Sequence, residues 1–165
     1  MADVVALFHA THKNLASGAG NVGVTSDVYD KARIAMMKQK DGDVVIGIAP
    51  RYWIGPVGSM SAARQIFGSD TELGQANPAV VSKVAGMVEV IADAELDPAS
   101  GTPFAVLAAD PAVADTIEVL YLNGNENPAL EQRDGWSIDG TEFKVRLDFG
   151  VKAFAFQGLS KIPTA

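Results

Sequence analysis

Cysteine is absent from the 165-residue sequence, and histidine occurs only twice. Without a thiol, the chain can form no disulfide, no thiolate metal site and no cysteine nucleophile. Both histidines, His9 and His12, lie near the start of the chain, which disfavours a catalytic triad. The sequence also contains no G-x-S-x-G elbow, P-loop or H-E-x-x-H motif. It therefore carries no signature of an enzyme active site.

Positive charge is scarce as well, because 13 Lys and Arg face 20 Asp and Glu, for a net charge of −7. This balance argues against a protein whose main ligand is nucleic acid. The sequence has no run of ~18 apolar residues that could span a membrane, and it has no basic segment of a signal peptide at its start. We expect an intracellularly made soluble protein with one domain that has room for two lobes.

The stretch from Trp136 to Gln157 has the clearest pattern in the chain. Asp139-Gly140 is typical of a two-residue turn. After it, charged residues alternate with an apolar set: Phe143, Val145, Leu147, Phe149 and Val151. Because strand side chains point alternately to two faces, this pattern predicts one long strand with a buried face and a charged face. We expect a bend at Gly150, after which Phe154 and Phe156 are buried on the other face.

The remaining elements follow from periodicity and from turn residues. Helical spacing predicts helices at 3–16, at 28–40 after a cap at Ser26 or Asp27, and from Pro56 to a stop at Gly68. Extended runs predict strands at 43–48, 51–54, 87–92, 104–109 and 117–122. Helices come first and strands dominate the second half, so we expect an α+β fold around a mostly antiparallel sheet.

Two small clusters near the start of the chain suggest ligands, and each has a simpler interpretation. His9 and His12 stand at i, i+3 and could hold a metal, but no third ligand is near them, so surface or capping histidines are the simpler assignment. Gly18, Gly20 and Gly23 match the dinucleotide fingerprint. No buried strand precedes these glycines and no helix follows them directly, which favours a flexible connecting loop.

A third cluster is acidic. Asp93, Glu95 and Asp97 have the spacing that begins a calcium loop. Pro98 stands where such a loop needs glycine, and no bidentate glutamate follows at the required distance. We therefore interpret this segment as a solvated acidic turn.

The sequence resembles the Mu-like prophage major head subunit and, more broadly, tailed-phage major capsid proteins with the Hong Kong 97 (HK-97) fold. The matching stretches are L-F-H-A-T-H-K-N-L-A at 7–16, A-R-I-A-M-M-K-Q-K at 32–40, P-R-Y-W-I-G-P at 50–56, A-A-D-P-A-V-A-D-T-I-E-V-L-Y-L-N-G at 108–124, G-W-S-I-D-G-T-E-F-K-V-R-L-D-F-G at 135–150 and G-L at 158–159. The stretches at 108–124 and 135–150 are the most specific.

The resemblance implies an α+β chain of the HK-97 type that lacks the N-terminal arm, the extended loop and the long spine helix. It implies a single capsid-protein unit over residues 1–165, made of an axial domain and part of the peripheral domain, with a closing strand near 141–157. It implies no enzymatic activity, and with it we expect no catalytic, cofactor-binding or metal-binding residue.

The resemblance also implies partners. We expect copies of the same chain, assembled as pentamers and hexamers of a virion capsid around DNA and made in the bacterial cytoplasm. Scaffold, protease and portal proteins are further expected partners; a membrane and a specific nucleic acid are not. Alone, the chain should be a monomer or a weak, salt-sensitive oligomer that associates through loops at 68–80 and 123–128. The alternative is a small-molecule-binding or hydrolytic domain that uses the glycine loop at 18–23 or the acidic turn at 93–97.

Overall fold

The structure is a computed structural model that describes residues 5–16, 20–71, 80–97, 101–135 and 139–164. Its described part has two α-helices, α1 (Ser26–Met37) and α2 (Met60–Gly68). The ten strands are β1 (Lys40–Asp41), β2 (Val44–Val45), β3 (Pro50–Pro56), β4 (Glu89–Asp93), β5 (Phe104–Ala109), β6 (Ile117–Tyr121), β7 (Ala129–Asp134), β8 (Thr141–Arg146), β9 (Phe149–Ala153) and β10 (Leu159–Pro163). The chain divides into two compact units, unit 1 (1–116 and 154–165) and unit 2 (117–153).

Unit 1 is built on a four-stranded sheet with the order β10-β5-β3-β4. β10 and β5, and β5 and β3, pair antiparallel, while β3 and β4 pair parallel. The parallel pair needs a crossover, and α2 lies in it. The expected α+β class and mostly antiparallel sheet are confirmed, and β5 has the bounds that the sequence predicts.

The core of unit 1 centres on Trp53 of β3, which is fully buried. Its indole Nε1 donates a hydrogen bond to the hydroxyl of Tyr29 on α1 at 2.7 Å. Burial raises the pKa of Tyr29 to about 12, and the bond from Trp53 opposes this rise only in part. A Cβ on Gly55 would lie 2.3 Å from the Trp53 ring, so only glycine leaves room for the indole there. Leu107 and Ile162 complete this layer from β5 and β10.

Both long helices form where the sequence predicts them, with shifted ends. The cap of α1 is Thr25, whose hydroxyl accepts from the N–H of Val28, and neither Ser26 nor Asp27 has that role. Helical spacing predicts a packing stripe of Val28, Ala32, Ala35, Met36 and Gln39. The structure buries Val28, Tyr29, Ala32, Met36 and, beyond the helix end, Gln39, whereas Ala35 is exposed. The second helix does not start at Pro56 as predicted, because Pro56 ends β3 and a 3₁₀ turn (Val57–Ser59) separates it from α2. The helix buries Ala63 and Phe67, which share one face at helical spacing.

The helix predicted at 3–16 is wrong within the described residues. Only a 3₁₀ turn (Ala10–His12) forms there. It ends at Lys13, which has a left-handed φ of 55°. The side chain of Asn14 is buried and donates to the carbonyl of Leu7, so a local side-chain bond replaces the helical hydrogen bonds. The strand predicted at 43–48 is reduced to the two exposed residues of β2, which pair with β1.

Unit 2 is a two-stranded antiparallel ribbon. β6 pairs with β9, and β7 pairs with β8 nearer the tip. On one side, a 3₁₀ turn (Leu122–Gly124) and a loop separate β6 from β7, whereas only Leu147 and Asp148 separate β8 from β9. None of the described residues of this unit is buried.

The single long strand predicted within 136–157 is therefore wrong. The stretch forms β8 and β9, and the interruption falls at residues 147–148, whereas Gly150 lies inside β9 opposite Leu120. Gly140 lacks the positive φ that a two-residue turn of the favoured type needs. The N–H of Gly135 instead donates to the carbonyl of Gly140 at 2.7 Å, which closes a longer loop. Trp136 lies outside the described residues.

Candidate assembly surface

The ribbon of unit 2 has two chemically different faces, because directly opposed residues in an antiparallel pair point to the same side. In the outer half, Leu130 faces Val145 and Gln132 faces Phe143. In the inner half, Val119 faces Val151 and Tyr121 faces Phe149. Each half thus gathers large apolar side chains from both strands on one face, and the periodicity of 143–151 extends to the partner strands.

The opposite face of the outer half carries charges that pair across the ribbon. Nζ of Lys144 lies 2.9 Å from a carboxylate oxygen of Glu131, and the Arg133 guanidinium lies 2.6 Å from Glu142. The hydrogen bond from Lys144, followed by its positive charge, lowers the pKa of Glu131. These charges pair within one chain, where opposed charges favour this strand register.

The apolar face is exposed, which contradicts the predicted burial. Phe143 is 65% exposed and Phe149 is 61% exposed. Phe154, which was also expected to be buried, is exposed, and Phe156 is half-buried. The alternation correctly identifies an apolar face, but among the described residues of unit 2 no second layer covers it, because β6–β9 form a single two-stranded ribbon.

The histidine pair does not form a metal site with the described residues. His12 is buried, and its ring stacks on Phe156 with centroids 4.0 Å apart and planes 8° from parallel. Nδ1 of His9 accepts a hydrogen bond from the N–H of Thr11. Within the described part of the chain, no group of three or more His, Cys, Asp or Glu side chains could hold a metal ion. His12 packs in the fold, and His9 caps the 3₁₀ turn.

The glycine loop lies only partly in the described residues, since Gly18 falls outside them. Gly20 and Gly23 both have positive φ, and the N–H of Gly23 donates to the carbonyl of Pro163 at 2.9 Å. The carbonyl of Gly20 accepts a hydrogen bond from Nζ of Lys31 on α1. These contacts tie the loop to β10 and α1 within unit 1, as a connecting segment requires.

The acidic turn uses its carboxylates to hold backbone. Asp93 accepts from the N–H of Glu95, and Asp97 accepts from the N–H of Gly58 at 3.1 Å. Between them, Ala94–Leu96 forms a 3₁₀ turn. The turn is therefore a structural connection between β4 and the segment before α2.

The structure describes in full only one of the two loops through which copies are expected to associate. Of 68–80, residues 72–79 lie outside the described part, and Thr71 pairs with Val81 in an isolated antiparallel bridge. The other loop, 123–128, lies in unit 2 between β6 and β7.

No helix of the described chain is long and apolar enough to cross a membrane.

Comparison with solved structures identifies the fold. The chain resembles the encapsulin in a cryoEM structure of the holo-SrpI encapsulin complex from Synechococcus elongatus PCC 7942, with a TM-score of 0.56 and 13% sequence identity. The alignment covers 92% of this chain and 52% of the encapsulin chain, so the chain spans about half the length of that relative. Because that encapsulin has the HK-97-like fold, the chain has the fold of this class.

The family follows from a second comparison. The phage capsid protein family model matches residues 2–162, which is nearly the whole sequence. The chain therefore belongs to the phage capsid protein family. No curated protein matches the chain.

Proposed function

We propose that this capsid subunit assembles with copies of itself and that assembly covers the apolar face of the unit 2 ribbon. The observation that carries the proposal is the absence of any buried residue among the described residues of this unit. A two-stranded hairpin is marginally stable in water unless something packs against it. An exposed face with Phe143 and Phe149 at its two halves supplies the apolar surface for such packing.

The size of the face supports this role. Seven large apolar side chains with 46–67% exposure contribute to it: Ile117, Val119, Leu130, Phe143, Val145, Phe149 and Val151. A phenylalanine side chain buries ~150–250 Å² when it is fully covered, so covering Phe143 and Phe149, which are 65% and 61% exposed, would remove on the order of 250 Å² from water. The five aliphatic side chains add to this area. The face is therefore comparable to the largest apolar patches on monomers, ~300–600 Å², which are often functional.

The division of the chain into two compact units suggests which part would belong to each capsid domain. Unit 1, with its four-stranded sheet and two helices, would be the axial domain, and the unit 2 ribbon would belong to the peripheral domain. The closing strand expected near 141–157 would then be the β8–β9 side of the ribbon. Loop 68–80 of unit 1 remains a proposed contact around the capsomer centre, whereas loop 123–128, which was expected there too, lies in the ribbon and would then contact other copies at the periphery.

We further propose that the chain is a Mu-like prophage head protein, made in the bacterial cytoplasm and placed in the virion capsid as pentamers and hexamers. Its role would be purely structural, and scaffold, protease and portal proteins would be partners during assembly. No described contact favours the alternative of a ligand-binding or hydrolytic domain, because the glycine loop and the acidic turn use polar groups in hydrogen bonds to the rest of the chain.

Sedimentation velocity over a hundredfold concentration range tests the role of the ribbon. We expect the wild-type chain to associate with rising concentration and a double variant, Phe143→Ser with Val145→Ser, to remain monomeric. A matched control, Glu142→Ser with Lys144→Ser, changes the same strand on the opposite face and should still associate. A wild-type chain that stays monomeric throughout, or a control that dissociates as readily as the apolar variant, would contradict the proposal.

Salt concentration separates the two interaction types. Association through the charged face would weaken at high salt, because exposed charges are screened within ~8–10 Å at physiological ionic strength. The sequence predicts this salt sensitivity. The cross-strand pairing of Lys144 and Glu131 leaves the apolar face as the better candidate. We therefore expect association to persist when the salt concentration is raised.

A further inference from the structure

A concavity beside the C-terminal end of α1 is lined by three lysines, although the protein is acidic overall. Lys13, Lys38 and Lys40 contribute to its wall, and its volume is about 410 Å³. The described residues that line it include no Asp or Glu. With 20 carboxylates and 13 basic residues in the chain, a wall of three lysines without a carboxylate departs from the average surface of this protein.

The three ammonium groups are available to a ligand. All three lysines are exposed, and no ion pair or side-chain hydrogen bond links any of them to another described residue. Asp41 follows Lys40 directly in β1, but adjacent strand residues point to opposite faces. Lys40 thus lines the concavity and Asp41 does not.

The frame of the concavity is fixed by buried contacts. Nε2 of Gln39 donates to the carbonyl of His12 at 2.9 Å and links the end of α1 to the 3₁₀ turn. The His12 ring stacks on Phe156 at the same site. The N–H of Lys13 donates to the carbonyl of Ala10 at 3.0 Å, which holds this lysine in its left-handed conformation. A frame that is ordered before binding lowers the entropic cost of holding a ligand.

A helix dipole gives a simpler reason for part of this cluster. Lysines near a helix C-terminus stabilise the partial negative charge there, which is equivalent to roughly −0.5 of an elementary charge. Lys38 and Lys40 fit that role, but Lys13 belongs to a different segment. Three full positive charges also exceed the charge of the helix end, so the helix dipole alone does not account for the cluster.

We propose that this concavity binds a phosphate group, carried either by a nucleic-acid backbone or by a free phosphate. Lysine ammonium groups bind phosphate as point charges and need no fixed planar geometry. Such a contact reads no base sequence, because phosphate contacts position a protein on nucleic acid without specifying sequence. It therefore agrees with the expectation that the chain has no specific nucleic-acid partner.

Fluorescence anisotropy with a labelled DNA duplex of about 30 base pairs tests the site on the full chain. If three phosphates are contacted, the affinity should fall about 40-fold between 50 and 200 mM salt, since each contact contributes a slope of about −0.9. The variant Lys13→Gln, Lys38→Gln and Lys40→Gln should bind at least about tenfold more weakly and lose most of the salt dependence. A control with the same charge change elsewhere combines Arg51→Gln, Arg64→Gln and Lys152→Gln, and it should stay within about threefold of wild type.

Further ligands distinguish a free phosphate from a nucleic-acid backbone, and one single variant distinguishes a ligand site from a helix-dipole role. Competition by millimolar inorganic phosphate or pyrophosphate would identify free phosphate as sufficient, whereas binding of DNA without such competition would assign the site to the nucleic-acid backbone. Lys13 lies outside α1 and cannot act through the dipole of that helix. Weaker DNA binding by the single variant Lys13→Gln would therefore support a ligand site over a helix-dipole role. The proposal fails if wild type binds neither DNA nor phosphate at 50 mM salt, if the control weakens as much as the triple variant, or if polyglutamate binds as tightly as DNA.

Discussion

Replacement of Phe149 by alanine measures whether the apolar face of the ribbon is covered in the free chain. Phe149 is 61% exposed, and its ring centroid lies 6.5 Å from that of Tyr121 on the paired strand. With ~200 Å² for a phenylalanine, about two fifths of the surface, or ~80 Å², is removed from water on folding. At ~25 cal/mol per Å², this amounts to about 2 kcal/mol. The figure is an upper bound, because real unfolded chains already bury some apolar surface.

Phe67 provides the matched comparison, because the same change removes a ring that is only 3% exposed. It packs edge-on against Tyr29, with centroids 5.1 Å apart. Phe67→Ala should cost about 3–5 kcal/mol, the usual range for a buried phenylalanine. Urea denaturation of both variants, followed by circular dichroism at low protein concentration, measures the difference. A loss for Phe149→Ala as large as that for Phe67→Ala would show that the ribbon face is buried without any partner copy, and would refute our interpretation.

Two further predictions concern the core of unit 1. The raised pKa of Tyr29 means that the folded chain favours the neutral phenol more strongly than the unfolded chain does. The resulting contribution to the free energy of unfolding is complete below pH 10 and is lost as the pH rises towards 12. Urea denaturation at pH 9 and pH 12 should show that the free energy of unfolding falls by up to about 3 kcal/mol at the higher pH. Tyr29→Phe cannot ionise at this position and should not show this part of the loss. An equal loss in both proteins would contradict the assignment. Gly55→Ala should cost at least about 1–3 kcal/mol because its Cβ meets the Trp53 ring, whereas Gly68→Ala, with no atom within 4 Å, should be nearly neutral in a thermal melt. Similar melting temperatures for both glycine variants would show that the indole can move aside.

Sequence patterns predict an element well when local residues alone define it. β5 has the predicted bounds because an apolar run lies between Pro103 and the Asp110-Pro111 pair, which begins a turn. The apolar face of α2 follows from helical spacing, and Ala63 and Phe67 are buried as that spacing predicts. In these cases, the physical cause of the structure lies within the element and its flanking residues.

β10 shows the opposite case, since its sequence does not predict a strand. It includes Lys161 and Pro163, which are unfavourable in a core strand. In the structure, Nζ of Lys161 lies 3.7 Å from the centre of the Phe104 ring, and Ser160 is buried opposite Leu107. Distant partners on β5 therefore accommodate these polar residues, and no local pattern contains that information.

The candidate assembly surface is predicted in part for the same reason. Alternation in 143–151 shows which side chains share a face, but burial depends on whether another layer covers that face. Periodicity also cannot show that Lys144 pairs with Glu131 across the ribbon, because pairing requires the register of β7 against β8. The lysine concavity was not predicted, since Lys13 and Lys40 come together only after the chain has folded.

The ribbon is also an insertion between two strands that are neighbours in the sheet. β5 and β10 pair directly, although the whole of unit 2 lies between them in the chain. The segments that lead into and out of the ribbon meet where the N–H of Phe154 donates to the carbonyl of Thr116 at 2.9 Å. Because these two segments are already close together, even a short turn could connect them. The length of the ribbon can therefore change without changing the sheet of unit 1. Related chains can therefore lengthen, shorten or exchange this arm while they keep the same β5–β10 pairing.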